Sequence, residues 1–132
     1  MTIHQLIYMS EPFGFDDAML NGILADARRC NARDGLTGAL ICRADVYLQL
    51  LEGDRDAVQA TFARIKLDSR HLAVQHLWDG DVTERMFPDW EMLDDPANSW
   101  LWLANDRPNG ALRSATPDIL RGVFERIAEE RA

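Results

Sequence analysis

Three polar side chains stand where the sequence is otherwise apolar. Tyr8 interrupts Leu6-Ile7-Tyr8-Met9, Gln49 interrupts Tyr47-Leu48-Gln49-Leu50-Leu51, and Asn31 lies one helical turn beyond Ala27 on an apolar stripe. A buried amide without partners costs about 1–3 kcal/mol, so each needs a hydrogen bond. One solution is that the three satisfy one another and the backbone. The other is that a phenol and two amides converge on an apolar slot, which suits a flat heteroaromatic ring with hydrogen-bonding edges. Other chemistries lack their residues. His4, His71 and His76 have neither HxH nor HxxxH spacing, and Cys30 and Cys42 form no CxxC, so no metal site is expected. There is no GxSxG, Walker A or GxGxxG motif. Lys66 is the only lysine, which argues against a Schiff-base enzyme.

The chain that must position these groups has 132 residues, enough for one domain with a real core. Its 14 basic and 22 acidic residues give a net charge of −8. Such a charge opposes long-range attraction to nucleic acid or an anionic membrane, and no apolar run is long enough to span one. An anionic ligand must instead meet a local cluster of arginines. No basic segment precedes the first apolar stretch, and two cysteines make no disulfide framework, so a cytoplasmic protein with reduced thiols is expected.

Ile3–Met9 is apolar on both parities, as a strand covered on both faces must be. A helix opens at Asp16-Asp17, carries Met19, Leu20, Ile23, Leu24 and Ala27 inward, and stops at Gly35. Leu36–Cys42 and Val46–Leu51 read as a hairpin closed by Arg43-Ala44-Asp45. Glu52-Gly53-Asp54 ends the second of these strands, with Asp54 or Asp56 as cap for a helix carrying Val58, Phe62 and Ile65. Leu72–Trp78 and Asp89–Leu93 are further strands, with Gly80 and Pro88 as punctuation between them. The order β-α-β-β-α-β-β predicts a ferredoxin-like α+β sheet with its first and third strands central and parallel, and both helices on one face. A C-terminal helical extension, residues 96–132, is expected on the other face. It contains the cluster Trp100-Leu101-Trp102-Leu103, a helix start at Thr116-Pro117-Asp118, and an apolar stripe of Ile119, Leu120, Val123, Phe124 and Ile127. That extension either caps the sheet or also serves as an output or oligomer surface.

At this point residues 3–93 resemble BLUF domains, the blue-light sensors that use FAD. Leu6-Ile7-Tyr8-Met9-Ser10 is similar to their opening strand, and Asn31-Ala32-Arg33-Asp34-Gly35-Leu36-Thr37-Gly38 to their helix-to-strand motif. Tyr47-Leu48-Gln49-Leu50-Leu51-Glu52-Gly53 resembles their glutamine strand. Asp68-Ser69-Arg70-His71 and Arg85-Met86-Phe87-Pro88-Asp89-Trp90-Glu91-Met92 match two later motifs. Five motifs occur in order over one domain, residues 1–95.

The resemblance implies an FAD cofactor, with Tyr8 giving an electron and a proton to the excited flavin. It places Gln49 between that phenol and the flavin N5/C4=O edge, Asn31 on the pyrimidine edge, and Arg70 with His71 near the carbonyl side. Trp90 and Met92 would sense the glutamine and pass the change to the sheet. Arg70 could equally cap the second helix, and Trp90 and Met92 could be plain core. Arg28 and Arg29 could neutralise the FAD phosphates or be solvated. Two positions depart from the family's usual pattern. Cys30 stands where another Asn or His is usual, and Tyr47, replacing the usual Phe, brings a second phenol to the Gln49 side. The expected function is a photoswitch that turns over no substrate. Residues 96–132 are too few for a cyclic-nucleotide enzyme, so output is expected through a homo-oligomer or a separate downstream signalling protein. The alternatives are a light-insensitive ferredoxin-like ligand-binding or dimerisation module and, less well supported, a small flavin enzyme.

Overall fold

The computed structural model describes residues 2–12, 17–43, 46–68, 71–88 and 93–95, with 121, 122, 124–126, 128 and 129 near the C-terminus. The elements are β1 (Ile3–Pro12), α1 (Asp17–Asp34), β2 (Thr37–Arg43), β3 (Val46–Gly53), α2 (Arg55–Leu67), β4 (His71–Val82) and β5 (Leu93–Asp95). They form one five-stranded sheet in the order β4-β1-β3-β2-β5, the ferredoxin-like arrangement. β1, β3 and β2 are paired on both sides, and the doubly apolar sequences of β1 and β3 suit that place.

The expected parallel pairing of β1 with β3 is overturned: the two run antiparallel, from His4 opposite Gly53 to Ser10 opposite Tyr47. The reason lies in the connections. The crossover through α1 returns the chain so that β2 runs with β1, two places away. The tight hairpin then sends β3 back into the gap between them, antiparallel to both. Among the described strands only β5 is parallel to its neighbour, with Ala39 opposite Leu93. It occupies Leu93–Asp95 rather than the expected Asp89–Leu93, and residues 89–92 lie outside those described.

β4 is longer than expected, running through Gly80 to Val82. Gly80 serves the strand rather than breaking it. A Cβ there would come 2.8 Å from Cζ2 of Trp78, so the glycine makes room for the indole. The β1–β4 register shifts twice, between Ile7 and Tyr8 and between Met9 and Glu11, with Ala73 at φ +48° inside the irregular stretch.

Alternation along the strands separates two cores. On one face, Leu6, Tyr8, Leu40, Tyr47 and Leu51 pack under Ile23 and Leu24 of α1 and Val58 and Phe62 of α2. On the other, Ile7, Met9, Ala39, Ile41, Leu48 and Leu50 pack with Phe87 and with Phe124 of the C-terminal segment. Phe87 and Phe124 meet edge-on, with ring centroids 6.4 Å apart. The described part of the C-terminal segment, at Phe124 and Ala128, therefore packs on the sheet face opposite α1 and α2. Trp100–Leu103, the helix start at Thr116-Pro117-Asp118, and Ile119, Leu120, Val123 and Ile127 lie outside the described residues.

Candidate functional site

The backbone first brings the polar groups to one place. Tyr8 and Gln49 are direct partners across β1 and β3, and Leu40 faces Gln49 from β2. All three point to the helix side. Asn31 arrives from above through the ending of α1. Gly35, at φ +71°, lets the chain turn left-handed, and the Leu36 amide donates back to the Asn31 carbonyl at 2.8 Å. That six-to-one bond is a Schellman closure, and it fixes the last turn with the Asn31 side chain buried inward. α2 is capped by Asp54, whose carboxylate accepts from the Asp56 amide at 3.2 Å.

Between α1 and α2 lies a cleft of about 220 Å³. Its walls and floor are apolar at Ile23, Ala27, Leu40, Leu51 and Ile65, and amide at Asn31 and Gln49. Under that floor the Tyr8 phenol donates a hydrogen bond to Oε1 of Gln49. Tyr8 has no exposed surface at all, and Phe62 stacks obliquely on it at 5.3 Å. Burial pushes the phenol well above its ordinary value, and the charge of Asp68 and the neighbouring Tyr47 add to the rise. Tyr8 therefore stays protonated and serves as the donor. Tyr47 is buried on the same face, where the sequence placed it.

The outer rim is charged. Arg29 and Arg64 line the cleft, paired with Asp26 at 3.0 Å and with Asp34 at 3.2 Å. Arg33, hydrogen-bonded to Asp34, holds that carboxyl below the usual carboxylate range. Cys30 also lines the cleft, so the position that departs from the expected pattern does face the site. Of the expected site residues, the structure brings together Tyr8, Asn31 and Gln49. Arg70, the side chain of His71, Trp90 and Met92 lie outside the described residues. Thr61 and Arg64 of α2, not expected at the site from the sequence, also line the cleft, and so does Asp68, which the sequence offered only as part of a motif. Their spacing with Ile65 was the available signal, since these positions share one helical face. No group of metal-ligating side chains that could hold an ion is found among the described residues.

With this geometry in hand, the comparison with known families is decisive. The family model described as "BLUF: Sensors of blue-light using FAD" matches residues 3–93, well over half of the chain. The chain belongs to the BLUF family. It is a blue-light sensor domain that uses FAD. The structure of BlrB, a BLUF protein in its dark state, is 27% identical, with a TM-score of 0.81 over 97% of this chain and 96% of that one. The BlrP1 structure from Klebsiella pneumoniae, a manganese/cy-diGMP complex, is 28% identical with a TM-score of 0.64, covering 70% of this chain and 24% of that one. The photoactivated adenylate cyclase subunit beta of Euglena gracilis is 35% identical over 95 residues. Those residues are 69% of this chain and 11% of that protein, so the chain spans about a tenth of this relative's length.

The site fits the cofactor on its own residues. A BLUF slot must take a flat ring with donor and acceptor edges, and here two buried amides border an apolar gap between helices. An FAD also carries a pyrophosphate, and the arginines at the rim lie where the slot meets solvent.

Proposed function

We propose that this BLUF domain switches through the Tyr8–Gln49 hydrogen bond. The observation that carries the reading is the buried phenol donating to the amide oxygen directly under the cleft. FAD, when bound between α1 and α2, would supply the blue-light absorption and an acceptor for one electron. Tyr8 supplies that electron and its phenolic proton, and recovers both when the cycle closes. Gln49 has an acceptor and a donor on one planar group, so rotation exchanges which end meets Tyr8 and which meets the cleft. In a dry site both arrangements can be fully bonded, which makes the pair bistable. Asn31 orients the ring from the end of α1. Arg70 and His71 complete the ring's polar surroundings, and Trp90 and Met92 sense the amide.

On this reading residues 3–93 turn over no substrate. Output passes through protein contacts, to a separate downstream protein or a second copy, with the C-terminal extension as the surface. The matched photoactivated adenylate cyclase subunit, which aligns with this chain over about a tenth of its length, supports light control of an effector. Residues 1–95 form the sensor and 96–132 the extension, and the protein works in the cytoplasm. None of the helices among the described residues is long and apolar enough to cross a membrane.

The test is the absorption of FAD-loaded protein before and after blue light, for the natural chain and for Gln49→Leu. The natural chain gives a small red shift that relaxes in darkness, while Gln49→Leu binds flavin and gives none. A full, reversible red shift in Gln49→Leu refutes the amide switch.

A further inference from the structure

Glu52 is a fully buried carboxylate that the photocycle above does not use. It lies on the strand that carries Gln49, but on the opposite sheet face, the side covered by Phe87 and Phe124. Both of its oxygens act only as acceptors. Oε1 takes Nε2 of Gln5 at 3.0 Å and the Met86 amide at 2.7 Å. Oε2 takes Oγ1 of Thr37 at 2.9 Å and the Phe87 amide at 2.6 Å. One side chain thus ties together β1, β2, β3 and the connection between β4 and β5. Gln5 extends the network, because its Oε1 accepts from Nε of Arg121 at 3.3 Å, and the Arg121 guanidinium lies 5.5 Å over the Trp78 ring. Arg85 fastens the same connection a second time, donating to the Glu52 and Gly35 carbonyls.

We propose that Glu52 is a positioning residue for the light response. It couples the strand bearing Gln49 to the 86–87 segment and, through Gln5, to the C-terminal helix. The inference rests on the Tyr8–Gln49 reading and adds its route through the sheet. A change at Gln49 on one face moves the β3 backbone, and the carboxylate on the other face carries that movement into two backbone amides. The held segment runs on to Trp90 and Met92. A side chain bonded to backbone N–H groups transmits displacement of the chain itself, which a purely apolar contact does only loosely.

The test uses the full chain loaded with FAD. Amide hydrogen exchange at Met86 and Phe87 is compared in darkness and under continuous blue light. Exchange at these two amides changes by about threefold or more on illumination. In parallel, dark recovery of the red shift is timed in Glu52→Gln and in Thr37→Val. The amide of Glu52→Gln turns a donor toward groups that are themselves donors, so the anchor loosens and recovery becomes about threefold faster or more. Thr37→Val spares both backbone bonds but removes one donor to Oε2 and one acceptor of Arg85, so its recovery quickens less than that of Glu52→Gln. If Glu52→Gln does not fold, exchange in the natural chain still decides. A normal red shift with unchanged exchange overturns this inference and leaves the switch standing. Loss of the red shift in the natural chain overturns both.

Discussion

At the scale of single residues, the site is a donor held beside an amide under an apolar cleft. Burial raises the Tyr8 phenol in the folded state above its ordinary 10.0, with Asp68 and Tyr47 adding to it. The folded protein therefore holds this proton more tightly than the unfolded chain. The resulting stability is complete below about pH 10 and is lost as pH rises beyond it. Urea midpoints measured from pH 8 to pH 11 should fall at the alkaline end, and the fall should be shallower in Tyr8→Phe. Asn31→Ala removes one buried amide from the slot while sparing the backbone bond that closes α1. Its FAD dissociation constant should rise about tenfold, the equivalent of about 1.4 kcal/mol, as read by flavin titration. Tyr8 and Gln49 were legible in the sequence because each is polar within a strand apolar on both parities. Glu52 was not. An acid before Gly53 reads as a solvated strand end, and nothing local shows that two backbone amides from beyond β4 come to meet it.

At the scale of elements, the turns that end and begin the helices set the width of the cleft. Gly35 at φ +71° is required by the closure that aims Asn31 inward. Gly35→Ala should cost about 1 kcal/mol in a urea melt and weaken flavin binding with it. Asp54→Ala removes the cap of α2 and should cost about 1 kcal/mol while leaving the dark flavin spectrum unchanged. Element order and the Gly35 stop could be read from sequence, because each has a local cause, and the cap of α2 was narrowed to Asp54 or Asp56, of which the structure has Asp54. Strand direction could not be read the same way. It depends on which gap the hairpin returns to, and the expectation of parallel inner strands failed there. The length of β4 was also hidden, since Gly80 is a breaker by type but a partner of the Trp78 ring in the fold.

At the scale of the whole molecule, a single sheet separates the cleft from the segment that covers its other face. The central strands belong to both layers, so a rearrangement under α1 and α2 need cross only one backbone to reach Phe87 and Phe124. Phe124 is fully buried against that second core. Phe124→Ala should lower stability by about 3 kcal/mol in a denaturant titration, while flavin still binds on the far face. The central claim is that light acts through the phenol bonded to Gln49, and the most direct test is Tyr8→Phe. FAD-loaded natural and Tyr8→Phe proteins are compared by light-minus-dark absorption under the same blue illumination. The account predicts a reversible red shift in the natural protein and none in Tyr8→Phe, with flavin bound in both. A full red shift in Tyr8→Phe would contradict it and move the donor role to the second buried phenol, Tyr47.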